Sequence, residues 1–471
     1  MDKTEEVGIG WLDLFRGGRA PLVIALTLGI WLHAADSLLV VTTLPSAVIE
    51  IGGDTYVAWS YTLYMLASIL IGATTGLIAL KLGLRIAFVT AGVFFAIGCV
   101  ISAVAPDMAV MLIGRFIQGM GGGGQLALVY VALDRLFPNA MMPKLVALTS
   151  AVWSMSAFCG PLVGGLFASF GLWRGAYCAF ALQAVLFVIL VLVAVPHGRC
   201  NDEPDVSGGL PLLRLALLSG GILLISAAGS DPVLAPLMVL GSIACFGFFL
   251  RCDARSDDNR MLPPHPFSRT TLYGAGLLMA FFLATATSSL FTYGPFFLER
   301  LFGVSPLESG YIIAMESVAW GVAAIAIANA TLAAERWLIR TGPLVVLIGL
   351  VGLAVTMPQG QIWPIMPFVL MLGAGFGQMW GLVIRRVTES AAPDDRERTS
   401  AAFPTVQQFG YAVGAALCSL IANALGFAED APAETLRPIS VWIFAAFVPV
   451  ALIAFWAAWR LGADPEDGEM S

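Results

Sequence analysis

Apolar positions gather into fourteen runs, at 20–45, 56–79, 86–105, 108–133, 145–169, 175–195, 209–229, 233–250, 270–297, 308–330, 341–357, 362–384, 401–426 and 438–460. A helix needs about 20 apolar residues to cross a bilayer. In lipid the backbone has no water to bond, so a spanning segment must bond to itself, and helices are the expected form. The ten-residue alternating segments of a membrane β-barrel do not occur. The pattern predicts an all-α integral membrane protein with loops too short for a soluble domain. The runs at 209–229 and 233–250 lie between the polar linkers 196–208 and 251–269, with Asp231-Pro232 as the turn between them. Leaving both out gives twelve spans with the same orientation, but each is long enough to cross.

Composition agrees with the pattern. Of 471 residues, 59% are hydrophobic and 12% charged, against about 25% charged in an ordinary soluble domain. Soluble enzymes, nucleic-acid binders and disordered tails are excluded. The 24 basic residues are placed unevenly. With the N-terminus inside, all but Arg115, Arg174, Arg300 and Arg437 fall on the cytoplasmic side. That asymmetry sets both termini in the cytoplasm and requires an even number of spans. Residues 1–19 mix acids with Lys3, Arg16 and Arg19, so no cleavable signal is expected. The expected location is a bacterial inner membrane, multi-pass. The expected divisions are a cytoplasmic segment 1–19, a six-helix bundle 20–195, a linker with two extra helices 196–269, a second six-helix bundle 270–460 and an acidic tail 461–471. The 7 Cys lie mostly inside apolar runs and read as small buried hydrophobes, without metal spacing or a disulfide framework. No nucleophile–base pair is visible, so neither enzyme nor cofactor is expected.

Three stretches carry polar or helix-bending residues inside spans. In "SAFCGPLVGG" (156–165), Pro161 removes one helix hydrogen bond. Gly160, Gly164 and Gly165 remove side chains so that a neighbouring helix can approach. In "RFIQGMGGGG" (115–124), Arg115 sits within the membrane, which costs about 2.5–3.5 kcal/mol on insertion scales and calls for a partner or a wet cavity. Gln118 either lines that cavity or bonds a neighbouring helix, and glycines 121–124 make a broad groove or a flexible point. In "DSLLVVTTLP" (36–45), Asp36 is a carboxylate at similar depth. It is costly to ionise there, which makes it a candidate proton carrier, with a permanent Asp36–Arg115 bridge as the alternative.

These stretches resemble the major facilitator superfamily, and within it the fourteen-helix drug:proton antiporter family. The first looks like the antiporter motif, the second like the Arg-x-x-Gln-Gly motif, and the third like the Asp to Leu-Pro motif of the fourteen-helix branch. "VSPLESG" (304–310) and "VQQFGYAVG" (406–414) look like its second half. The resemblance implies two six-helix bundles plus two extra central helices, a midplane site and alternating access. The loop after the second span departs from the family. Gly76, Lys81, Gly83 and Arg85 fit its pattern, but Leu80 stands where an Asp belongs, so the usual charge latch cannot form in its ordinary version. Glu316 lies about six residues into its span and matches no rule of the family. It is a second proton site, a partner for a polar substrate, or an acid that reaches outward.

Substrate-binding candidates are His33, Tyr64, Gln118, Trp153, Gln183, Tyr293, Trp320, Gln378 and Gln407. Aromatics and amides with few charges suit a flat, weakly charged organic molecule. The expected activity is secondary transport by a monomer, proton-coupled through Asp36, Arg115 or Glu316, most simply as efflux. Uptake of an aromatic heterocyclic vitamin such as riboflavin is the rival within the fold. A lipid flippase or a non-transporting receptor is the rival from another class.

Overall fold

A computed structural model describes residues 11–138, 141–196, 211–229, 231, 233–256, 260–268, 270–327, 331–392, 395–428 and 431–461. Some side chains within its helices, those of Gly76 and Leu80 among them, lie outside the described ones. The described residues contain helices and no strands. These are α1 (Ala20–Ile51), α2 (Val57–Leu82), α3 (Leu84–Ala103), α4 (Met108–Leu136), α5 (Met142–Ser169), α6 (Trp173–Ala194), α7 (Leu212–Ala228) and α8 (Ala235–Ala254). The second half has α9 (Leu272–Phe302), α10 (Pro306–Ala326), α11 (Leu332–Thr356), α12 (Ile362–Gly377), α13 (Trp380–Glu389), α14 (Arg396–Ala424), α15 (Ala433–Ala445) and α16 (Val448–Leu461).

Among the described residues, thirteen segments are long and apolar enough to cross a membrane. The 17-residue helix α7 is a shorter apolar one, less than the sequence run 209–229 suggests. One crossing is made by α12 and α13 together and one by α15 and α16. Several helices outrun their apolar stretch, α1 to Ile51 and α11 from Leu332, because a helix continues through the interface once it is nucleated. Gly83 ends α2 and starts α3 in a single residue, with φ at 84°, a region that disfavours any residue with a Cβ.

The packing repeats. In the first half α1 packs on α5 and α6, α2 on α4, and α3 on α4 and α6. In the second half α9 packs on α14 and α16, α10 on α12, and α11 on α12 and α16. Close backbone contacts give the register. Gly160 and Gly164 of α5 press on the carbonyls of Ala35 and Leu39, as Gly410 and Gly414 of α14 press on those of Phe281 and Thr285. Gly119 and Gly123 of α4 press on the carbonyls of Tyr64 and Ser68, as Gly373 and Gly377 of α12 press on those of Glu316 and Trp320. In this register Phe282 corresponds to Asp36, Val369 to Arg115, Leu372 to Gln118 and Glu316 to Tyr64.

The halves meet along α5–α10 and α2–α14, a crossed pair that the same correspondence interchanges. The extra pair α7–α8 lies on this assembly through α7, which contacts α14 and α2, while α8 leaves Leu237, Leu240 and Ile243 exposed as a lipid-facing surface.

Candidate functional site

Asp36 comes from the middle of α1, and Arg115 and Gln118 from neighbouring positions on α4. All three are 0% exposed. Arg115 Nη1 donates to Asp36 Oδ2 at 2.8 Å and to Gln118 Oε1 at 3.0 Å. Gln118 Nε2 donates to Asp36 Oδ1 at 2.6 Å and to Cys99 Sγ at 3.1 Å. Both carboxylate oxygens are therefore occupied, and the three groups close a ring. The guanidinium also lies over the Tyr64 ring, 4.3 Å from its centroid, which adds a cation–π contact. Arg115 Nη2 has no hydrogen-bond partner, so the ring retains one free donor.

The contacts continue outward from Tyr64. Its hydroxyl lies 3.1 Å from His33 Nδ1, and the two rings stack with centroids 5.7 Å apart. The edge of Trp153 meets the His33 ring at 5.9 Å. Gly122 leaves room for this cluster, since a methyl there would meet the Tyr64 hydroxyl and His33 Nδ1. The glycine run is thus neither a broad groove nor a flexible point. Gly121 fits against Phe95 on α3 and Gly123 against Ser68 on α2, inside one unbroken helix.

Among the described residues, the buried charged side chains are Asp36, Arg115, Arg214, Asp253, Glu316 and Glu335. Arg115 pairs with Asp36, Arg214 with Asp253 at 2.6 Å, and Arg385 with Glu335. Glu316 has no such partner. It is 5% exposed, and Ser317 Oγ donates to its Oε2 at 3.1 Å.

The antiporter-like segment divides its glycines between two neighbours. Gly160 and Gly164 face α1, whereas Gly165 faces Pro306 and Leu307 of α10. The Pro161 carbonyl accepts a hydrogen bond from Thr42 of α1 at 3.3 Å, and Gly310 of α10 rests against the same carbonyl. Pro161 is therefore a meeting point of both halves.

Other candidates lie elsewhere. Gln183 accepts from Trp31 Nε1 at 2.8 Å and ties α6 to α1. Gln378 donates to Thr341 Oγ1 at 2.9 Å and to the Leu338 carbonyl at 3.2 Å, holding the break between α12 and α13 onto α11. Tyr293 is fully buried among Phe296, Phe297 and Phe427. Trp320 stacks on Phe376 at 4.9 Å, and Gln407 Nε2 lies 3.5 Å from the Tyr411 hydroxyl. In the loop after α2, Lys81 is exposed, Arg85 donates to the Leu192 carbonyl, and the Gly76 and Leu80 side chains lie outside the described residues.

Two contributors escape sequence reading. Cys99 reads as a small hydrophobe, but its thiol receives the Gln118 amide. Asn423 donates to the Thr55 carbonyl and to the Gly229 carbonyl, both at 2.9 Å, so one amide joins α14, the α1–α2 loop and the end of α7. An amide inside an apolar run was the available signal for it.

The family profile described as Major Facilitator Superfamily matches residues 26–415. The chain belongs to the major facilitator superfamily. It is 31% identical over 429 residues to a Mycobacterium tuberculosis protein named probable multidrug-efflux transporter, covering 88% of this chain and 90% of that one. It is 26% identical to the multidrug transporter protein MdtP of Bacillus subtilis, over 63% of this chain and 55% of that one. Among solved structures, a D-xylose-proton symporter superposes with a TM-score of 0.67 at 17% identity, covering 95% of this chain and 99% of that one. A bacterial homolog of the human lysosomal transporter Spinster gives 0.66 at 16% identity, covering 95% and 98%. These two share the fold. The protein is a multi-pass membrane transporter of this superfamily.

Proposed function

We propose that this transporter exports small, weakly charged organic molecules by alternating access, driven by protons that load and leave at Asp36. The observation that carries the reading is the closed ring of Asp36, Arg115 and Gln118 at 0% exposure. An ionised pair withdrawn from water is expensive unless its remaining bonds are met. A carboxylate whose cation must let go before it can be protonated has two stable arrangements, which is what coupling to a conformational change requires. The name of the Mycobacterium tuberculosis relative, probable multidrug-efflux transporter, supports the direction.

The two bundles, 20–195 and 270–460, are the rocking units, with 196–269 carried beside them. Both termini face the cytoplasm. The end where Asn423 reaches Thr55 and Gly165 meets Leu307 is then the outer one, and it is closed. Reconstituted proteoliposomes with an imposed pH gradient test the reading, using a panel of weakly charged aromatic compounds. At least one compound should move against its own gradient, and a protonophore should abolish that movement. Flux that is indifferent to the protonophore for every transported compound would contradict proton coupling.

A further inference from the structure

The two seams between the halves, α5–α10 and α2–α14, are equivalent in packing, but the extra helix α7 lies against the second of them. It touches α2 of one half and α14 of the other, and its attachments to the two differ in kind. Towards α14 they are close and directional. A methyl at Gly229, just past the end of α7, would lie 3.0 Å from both Leu420 N and Ser419 Oγ. The Gly229 carbonyl accepts from Asn423 Nδ2 at 2.9 Å. Ile225 packs with Val413 and Ala416. A methyl at Gly221 would lie 2.4 Å from the Phe246 ring, so its absence lets α8 send that ring past α7. There it meets Phe409 of α14 edge on at 4.8 Å, and Phe409 lies 5.4 Å from Phe281 of α9.

Towards α2 the contact is between apolar side chains, with Ile222 in one cluster with Met65 and Leu66. Between helices in lipid, apolar side chains add little beyond what lipid tails offer, whereas close backbones and hydrogen bonds hold. The α2 side is therefore the weaker one.

The hairpin is itself braced and bonded onward to the second half. Ser242 Oγ of α8 donates to the Gly221 carbonyl at 2.7 Å. Arg214 Nη1 donates to Asp253 Oδ1 at 2.6 Å, and the Asp253 carboxylate also accepts from Met261 N at 2.9 Å and Leu262 N at 3.0 Å. Two residues on, the Pro264 carbonyl accepts from the Tyr273 hydroxyl of α9 at 2.7 Å. The linker is thus fastened to the hairpin at one end and to α9 at the other.

We propose that the α7–α8 hairpin moves as one body with the second half, and that α7 shifts against α2 in each transport cycle. The extra helices then act as a flap that covers the α2–α14 seam while the halves rock, with α2 as the sliding surface. The inference rests on the alternating-access reading.

Spin-label distances in a cysteine-free background test it without a substrate. Val100 on α3, Leu237 on α8 and Val355 on α11 are exposed and lie towards the same end of the bundle, the one where Asn423 reaches Thr55. They mark the first half, the hairpin and the second half. The three pairs are measured in the wild type and in Gly310→Ala, each at acidic and at neutral pH. Thermal unfolding of each labelled protein confirms that it is folded. The Val100–Val355 distance should differ between conditions by several ångströms, and Val100–Leu237 should differ with it. Leu237–Val355 should stay within the width of its distribution. A Leu237–Val355 distance that changes with the others overturns the proposal, as does a Val100–Leu237 distance that stays fixed while Val100–Val355 changes. A Val100–Val355 distance that is the same in every condition means that the halves do not rock, and the proposal then falls with the alternating-access reading.

Discussion

The two halves share one packing scheme and differ in the charge they bury. In the first half, Asp36, Arg115 and Gln118 satisfy one another and Tyr64 covers the guanidinium. In the second, the corresponding places hold Phe282, Val369 and Leu372, and a lone carboxylate, Glu316, replaces the tyrosine. The close glycine contacts are kept on both sides because two helix backbones can touch only where side chains are absent. Charge was free to diverge, since it is not needed for that packing. On the proposed reading, energy coupling falls to the Asp36 ring of the first half.

The largest break in this asymmetry is Arg115→Ala. It leaves the Asp36 carboxylate buried and unpaired, an expected cost of about 3–5 kcal/mol, whereas Val369→Ala at the matching position should cost about 1 kcal/mol. Thermal unfolding of the purified variants reads the difference, and equal losses would mean that the ring carries no net charge pairing. Next comes the seam between the halves. A methyl at Gly310 would lie 2.8 Å from the Pro161 carbonyl oxygen and 2.8 Å from Thr42 Cγ2. Gly310→Ala should penalise this closed arrangement by about 1–3 kcal/mol. Distances between spin labels at the end of α5 and the start of α10 should lengthen. Gly321→Ala on the same helix has open space around it and should leave them unchanged.

A smaller effect is expected from Asn423→Ala, which removes two bonds of about 0.5–1.5 kcal/mol each that cross between elements. In a cysteine-free background, a cysteine at position 55 should then react several-fold faster with an impermeant maleimide added from outside. An unchanged rate would mean that other contacts hold that end closed. The smallest is Gln183→Leu. Losing the bond from Trp31 should cost about 1 kcal/mol of stability and leave transport rates as they were.

The fold was readable because lipid enforces it. Long apolar runs have one solution, and the basic loops order them. Asp36 and Arg115 were readable as partners because each was too costly alone. The hydrogen bonds of Gln118 were not, since an amide inside a membrane satisfies many neighbours equally well. The same is true of Gln183 and Gln378, which look like cavity residues in sequence and serve as ties between helices. The glycine run at 121–124 misled for a related reason. Glycine marks both looseness and close packing, and only the facing backbones of Phe95 and Ser68 decide between them. The correspondence of Glu316 with Tyr64 required three-dimensional register, because the two residues share no chemistry.

The central claim is that the Asp36 ring couples transport to protons, and Asp36→Asn tests it most directly. The amide keeps the shape and much of the hydrogen bonding of a protonated carboxyl. Substrate flux is measured in proteoliposomes with and without an imposed pH gradient. The account predicts that substrate exchange persists while gradient-driven accumulation disappears, and that Glu316→Gln does not show this split for a neutral substrate. Accumulation by Asp36→Asn at the wild-type level would contradict it and leave the Asp36–Arg115 pair as a permanent structural bridge.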